Sequence, residues 1–187
     1  MTLTPINSGW LEVICGNMFS GKTEELIRRL RRAQIAKMST AIFKPSIDSR
    51  FSGEHIVSHN KNKLKSIIIN APSEITTKSE GFDVIGIDEV QFFDSSIVKV
   101  CRGLASNNKR VIAAGLDKDY LGKPFGPMPE MMCEADYLDK LRAICVLCGN
   151  PASYTHRTTL DADQVVLGEL DKYEARCRNC IKLPKRI

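Results

Sequence analysis

Through residue 117, short apolar runs alternate with stretches in which apolar side chains return every three or four positions. Trp10–Cys15 (WLEVIC) predicts a first strand, and residues 22–37, with Leu26, Leu30 and Ala33 at helical spacing, predict a helix. Thr40–Lys44 (TAIFK) predicts the next strand, and Ser66–Asn70 (SIIIN) a further short one. Phe82–Asp88 (FDVIGID) and Arg110–Asp117 (RVIAAGLD) are continuous apolar runs that end in aspartate, and residues 95–107 between them suit a helix. A strand that is apolar on both faces has no solvent side, which fits a parallel sheet covered by helices. The alternation predicts an α/β fold of the nucleotide-binding type, with a parallel sheet and ligands at the carboxyl ends of its strands. Asp88 and Asp117 both fall at such ends. No internal repeat or low-complexity segment interrupts the pattern.

The texture changes from residue 141. Cys145–Cys148 (CVLC) and Cys177–Cys180 (CRNC) are two C-x-x-C pairs separated by 28 residues. Each pair offers two thiolates from one tight turn, and two such turns complete a tetrahedral zinc site. Two disulfides or redox pairs are the competing readings, but three further scattered cysteines, Cys15, Cys101 and Cys133, and a cytosolic chain argue against disulfides. Four thiolates leave no open coordination position, so such a metal staples the fold and takes no part in chemistry. The division expected is therefore an α/β nucleotide-binding unit over residues 1–140 and a small zinc-ribbon-like unit over 141–187, with an insertion between the cysteine pairs.

Composition narrows the picture only slightly. The chain has 187 residues, 43% hydrophobic and 26% charged, enough for one main domain with a real core and one small appendage. Its net charge of +5 is dispersed, with eight Lys/Arg against five Asp/Glu in residues 141–187. The densest basic run, Arg28–Arg32 (RRLRR), lies on the predicted helix and reads as a solvated face, so no nucleic-acid partner is expected. No apolar run approaches a membrane span, and the first ten residues, MTLTPINSGW, lack a targeting pattern, so the expectation is a cytoplasmic protein with no membrane partner.

The chemistry concentrates at two strand ends. Gly16–Thr23 (GNMFSGKT) has two glycines separated by four residues and followed by Lys-Thr, between a strand and a helix. Its glycines let backbone N–H groups turn toward phosphate oxygens, helped by the N-terminal end of the helix, which a chance glycine turn would not do. Lys22 can reach the outer phosphates and the Thr23 hydroxyl can ligate magnesium. After the second strand end, Asp88 suits a magnesium ligand and Glu89 faces the reacting end of a nucleotide. Glu89 could orient water, as in an ATPase, or deprotonate a substrate hydroxyl, as in a kinase. His55, His59 and His156 read as polar contacts, since the acidic pair already fills the role of base. Asp88–Gln91 (DEVQ) also suits an ATPase or translocase-like module that binds nucleic acid. Such machines typically need a second domain with an arginine finger, which 187 residues do not hold. A guanine-reading N-K-x-D stretch is not supplied by Asn107–Arg110 (NNKR). Size therefore favours a small-substrate kinase.

At this point a resemblance enters. GNMFSGKT, IGIDEVQFF, GLDKDYLGKPFG, YTHR and DKYEARCRNC occur in the order and spacing of the thymidine kinase family, zinc-containing cellular type (type II), and the resemblance runs over about residues 10–182. It implies transfer of the γ-phosphoryl group of ATP to the 5′-hydroxyl of deoxythymidine, with structural Zn²⁺ and with Mg²⁺ accompanying ATP. Carried over by motif, Gly16, Asn17, Met18, Phe19, Ser20, Gly21, Lys22 and Thr23 hold ATP together with Asp88, Glu89, Val90 and Gln91, and Glu89 is the general base. Met18, Phe92 and Leu116 wall the thymine pocket, with Phe125, Thr155 and Arg157 at further pocket positions and Tyr120 where the family usually has Phe. Gln164, Val165, Val166, Leu167 and Gly168 resemble a lasso whose backbone reads the base, and Tyr173 closes over the nucleoside. Asp48 and Arg50 match a loop near the phosphates. The resemblance further implies a homotetramer and feedback inhibition by thymidine triphosphate.

Overall fold

The computed structural model of the protein describes residues 8–48, 55–57, 63–159 and 172–181. The apolar runs do become strands: β1 is Trp10–Gly16 and β2 is Thr40–Pro45. Between β2 and β5 (Ile67–Ile69) lies a small antiparallel ladder of β3 (His55–Val57) and β4 (Lys63–Lys65). β6 (Val84–Ile87), β7 (Arg110–Leu116) and β8 (Tyr137–Leu141) follow. The six strands of the main sheet run β5-β2-β6-β7-β1-β8, and every neighbouring pair is parallel.

Helix α1 (Lys22–Ile35) covers one face of the sheet. Helices α2 (Ser73–Lys78), α3 (Ser96–Ser106) and α4 (Met128–Glu134) cover the other. The alternation of side chains along each strand splits the core accordingly. Ile14, Ile42, Ile112 and Ala114 pack with Leu26, Ile27, Leu30 and Ala33 of α1. Their strand neighbours Val13, Cys15, Phe43, Val111 and Ala113 pack with Ile75, Ile97, Cys101, Leu104 and Met131 on the opposite face. α1 comes so close to β6 that a Cβ on Gly86 would stand 2.8 Å from Leu30 Cδ1.

The pattern does not announce β8 or α4. The middle three residues of β8 are exposed, because this strand is an edge of the sheet and needs no apolar run. α4 has seven residues behind Pro127, too few turns to display a period. Beyond the sheet, β9 (Ala143–Ile144) pairs with β10 (Pro151–Ala152), and β11 (Tyr154–Arg157) pairs with β12 (Tyr173–Arg176), both antiparallel. A separate small core of Ala143, Cys145, Ala152, Ala175 and Cys177 lies among these strands. Among the described residues, no helix is long and apolar enough to cross a membrane.

One buried carboxylate ties four elements together. Glu12 on β1 accepts hydrogen bonds from Trp10 Nε1 (2.8 Å), Arg110 Nε at the start of β7 (2.6 Å) and Arg29 Nη1 on α1 (2.6 Å). Arg29 also reaches Glu25 and, through Nη2, Asp139 of β8. Burial by itself would raise the Glu12 carboxyl, but hydrogen bonds and charge from Arg110, with Trp10 and Arg29, more than offset it and hold it below the usual range. Glu12→Ala strips Arg110 of its carboxylate and Arg29 of one of three, and is expected to cost about 3 kcal/mol, read as a lower urea midpoint at unchanged slope. Because the folded-state carboxyl is depressed, its contribution is complete above the ordinary glutamate range and fades as pH falls through the lowered value. The variant's deficit should accordingly shrink in acid.

Candidate active site

The loop Gly16–Thr23 leaves the carboxyl end of β1 and enters α1. Gly16 (φ 151°) and Gly21 (φ 83°) both lie in the region that favours glycine. A Cβ on Gly16 would stand 2.5 Å from Leu141 O, so the loop's path past β8 requires a bare backbone there. Gly21 caps α1 without a side-chain hydrogen bond, which leaves N–H groups of the first turn to meet an anion. Lys22 is buried at the head of the helix and its Nζ donates to Asn17 O (2.8 Å), as does Ser20 Oγ (2.8 Å). Burial pushes the Lys22 ammonium below its usual range, against the opposing charges of Glu89, Asp88 and Asp117.

The acidic pair follows β6. Asp88 N–H donates to Phe43 O (2.9 Å), continuing the sheet by one residue. Its carboxylate accepts from Thr23 Oγ1 on one oxygen (3.1 Å) and from Glu89 N–H on the other (3.0 Å). A hydroxyl and a carboxylate this close offer the hard oxygen ligands that magnesium takes. Glu89 stands in the left-handed region (φ 53°, ψ 41°), a backbone conformation that costs a non-glycine residue about 1–2 kcal/mol. Gln91, on the short turn Val90–Phe92, donates from Nε2 to Glu89 Oε2 and accepts at Oε1 from Leu116 N–H (2.9 Å).

Further contacts join residues expected to line a nucleoside pocket. Phe92 and Phe125 meet edge to face, centroids 5.7 Å apart. Arg157 stacks its guanidinium 3.6 Å from the centroid of the Tyr120 ring and donates from Nη2 to the Tyr173 hydroxyl (2.9 Å). Thr155 Oγ1 accepts from Met18 N–H (3.1 Å), which joins the phosphate loop to β11. The structure thus joins Met18 to Thr155, Glu89 through Gln91 to Leu116, Phe92 to Phe125, and Arg157 to both Tyr120 and Tyr173. Asp48 closes the turn Ser46–Asp48 after β2. Arg50 and Gln164–Gly168 lie outside the described residues.

Two parts of the arrangement were missed from the sequence. Asn17 is more than a loop residue: its side-chain amide donates to Tyr154 O (3.3 Å) and accepts from Ala143 N–H (3.4 Å), on strands of the C-terminal part. Asp117, noted only as a strand end, accepts from Lys118 (2.9 Å) and Lys140 (2.7 Å), and its buried Oδ1 has no partner among the described residues. Burial would raise this carboxyl, and the two lysines bring it below the usual range. Lys118 also donates to Ser153 O (3.1 Å) and lies over the Tyr154 ring. The pairing of Asp117 with Lys118 is adjacent in sequence, but Lys140 reaches it only because β8 lies two strands away in the folded sheet.

The four cysteines converge as the spacing predicts. The Sγ atoms of Cys145, Cys148, Cys177 and Cys180 lie within 4.8 Å of one another, with Cys148 3.6 Å from Cys177 and 3.5 Å from Cys180. A tetrahedral zinc with Zn–S bonds of about 2.3 Å sets sulfurs about 3.8 Å apart, so the four thiolates fit a closed structural zinc site.

The parallel sheet, the phosphate loop opening into α1, the acidic strand end and the thiolate cluster define a nucleotide-binding α/β protein with a zinc-ribbon-like appendage. The fold has a likeness in the crystal structure of the flagellar accessory protein FlaH from Methanocaldococcus jannaschii, with a TM-score of 0.52, 13% identity, and 78% of this chain and 76% of that one covered. Residues 9–181 match the family model described as thymidine kinase, and the chain belongs to the thymidine kinase family. It is 53% identical over 177 residues to a thymidine kinase of Rhodothermus sp. (strain ITI 518), covering 95% of this chain and 83% of that one. Thymidine kinases of Bacteroides thetaiotaomicron and Bacteroides fragilis are each 53% identical over 172 residues, covering 92% of this chain and 86% of theirs.

Protein purified under reducing conditions is expected to carry one zinc per chain by elemental analysis. Cys148→Ser should lower that content and the melting temperature together, because the binding energy of a structural zinc is also folding energy. Full zinc occupancy in the variant would remove Cys148 from the ligand set.

Proposed function

We propose that the protein transfers the γ-phosphoryl group of ATP to the 5′-hydroxyl of deoxythymidine. The observation that carries this reading is the convergence of Lys22, Thr23, Asp88 and Glu89 at one end of the sheet in a chain of the thymidine kinase family. In this reading Gly16–Thr23 binds the ATP phosphates, backbone N–H groups and the helix end supplying positive potential and Lys22 its charge. Thr23 and Asp88 would hold Mg²⁺, which would supply charge neutralisation to the transferring phosphates. Glu89, held in its unusual backbone conformation, accepts the proton of the 5′-hydroxyl as that oxygen attacks. Phosphoryl transfer asks for little covalent help, so positioning and charge carry most of the barrier reduction.

Met18, Phe92, Leu116, Tyr120, Phe125, Thr155 and Arg157 form the nucleoside side, completed by Tyr173 and by the lasso Gln164–Gly168. Residues 1–140 then act as the kinase unit and 141–187 as the zinc-stapled unit that presents the lasso. Membership of the family also supports a cytoplasmic homotetramer inhibited by thymidine triphosphate; size-exclusion chromatography with light scattering and inhibition assays test these two points.

The direct test incubates the protein with ATP and a panel of nucleosides and identifies the phosphorylated product. Thymidine should react well and purine nucleosides poorly, since a mismatched base leaves buried polar groups unpaired. Comparable rates with deoxyadenosine or deoxyguanosine would contradict the proposal. Glu89→Gln keeps size and hydrogen bonding but cannot take up the proton, so kcat should fall about a hundred- to ten-thousand-fold with ATP binding preserved. Near-normal turnover in that variant removes Glu89 from the role of base.

A further inference from the structure

Gln91 is almost fully buried, and both ends of its amide are committed. Oε1 accepts from the backbone N–H of Leu116 (2.9 Å), and Nε2 donates to Glu89 Oε2. The orientation is dictated by the partners. An N–H needs an acceptor and a carboxylate needs a donor, so the reversed amide would oppose like groups at both ends. Two glycines admit this residue, one beside its side chain and one beside its backbone. A Cβ on Gly115 would stand 2.8 Å from Gln91 Oε1 and 2.7 Å from Met128 Sδ. A Cβ on Gly126, itself at φ 48°, would stand 2.4 Å from the Gln91 carbonyl oxygen. Gly115 thus makes room for the Gln91 side chain, and Gly126 for the backbone that carries it.

We infer that Gln91 is a positioning residue, whose buried amide fixes the Glu89 carboxylate against the backbone of Leu116. The inference rests on the reading of Glu89 as the base. Glu89 has a flexible side chain on a strained backbone, and the turn Val90–Phe92 alone does not determine where its carboxylate points. The amide supplies the missing constraint from the side of β7. It also joins the base to the strand end that carries Leu116, so one group sets the distance between the proton acceptor and that part of the nucleoside pocket. A direct contact of Gln91 with ATP is the competing role, and it makes a different kinetic prediction.

The experiment compares wild type, Gln91→Met, Glu89→Gln and the double variant with ATP and thymidine. Methionine keeps the volume and removes both hydrogen bonds. A misplacement on the order of 1 Å costs about a hundredfold in rate, so Gln91→Met is expected to lower kcat about ten- to a hundredfold while both KM values stay within about twofold. If Gln91 acts through Glu89, adding Gln91→Met to Glu89→Gln slows the enzyme no further. Should Gln91→Met fail to fold, Gln91→Asn serves in its place, since it keeps the amide but, one methylene shorter, cannot span Leu116 and Glu89 together; the same fall in kcat is expected. A raised KM for ATP with kcat intact, near-normal kcat, or effects that multiply in the double variant would each overturn the inference. If Glu89→Gln itself is near normal, the base reading fails and takes this one with it. Loss in Glu89→Gln alongside normal Gln91→Met defeats this inference alone.

Discussion

Lys22 places an ammonium group where water hardly reaches, at the head of α1 and beneath the phosphate loop, and the carboxyl end of the sheet is organised around that charge. Desolvation works against the charged form, and an isolated buried lysine responds by releasing its proton. Here Glu89, Asp88 and Asp117 oppose that loss with their own charges. The carboxylates in turn need partners: Asp88 has Thr23 and the Glu89 amide, Glu89 has Gln91, and Asp117 has Lys118 and Lys140. A region with both signs of charge in low dielectric is a suitable receptacle for a polyphosphate with its cation, because each partner meets preorganised groups rather than reorienting water.

That receptacle is continuous with the zinc-ribbon-like part. Asn17 bonds to Tyr154 and, just before the first cysteine pair, to Ala143, Met18 to Thr155, and Lys118 to Ser153, so the phosphate loop and the end of β7 both rest on the cysteine-bearing part of the chain. The thiolate cluster closes that part where, among the described residues, the local core is five small residues with Cys180 packed against them, too few to hold four short strands by burial alone. A staple at this point therefore supports the loop from outside the main sheet. In the proposed reaction the same connection places Thr155 and Arg157 on the nucleoside side while their neighbours anchor the phosphate side.

Tyr120 illustrates how a single side chain can join both parts. Its ring lies under the Arg157 guanidinium, and Arg157 continues to the Tyr173 hydroxyl on the neighbouring strand β12. The three residues come from β7's following loop, β11 and β12, and their contacts are made of stacking and one hydrogen bond. Stacking of the cationic guanidinium on an aromatic face, together with the hydrogen bond to the phenol, orients these long side chains.

Much of this could be read before folding was considered. Continuous apolar runs at Trp10–Cys15, Phe82–Asp88 and Arg110–Asp117 already imply buried parallel strands, since a strand with two covered faces needs apolar residues throughout. The phosphate loop and the cysteine spacing are local patterns whose chemistry depends on neighbours in the chain, which is why both were legible. Edge strand β8 was not, because exposure releases it from any apolar requirement. Nor were the Asn17 tether, the Lys140–Asp117 pair, the Glu12 network or the Gln91 bridge: each joins residues 2 to 137 positions apart by chemistry that many other side chains in the sequence could equally supply. By itself the sequence determined which residues could bind phosphate, metal and magnesium, and that they sit at strand ends. Only the tertiary structure decided which polar side chain answers which, because hydrogen bonds and buried charges are satisfied by proximity in space, and proximity is set by strand order and helix packing.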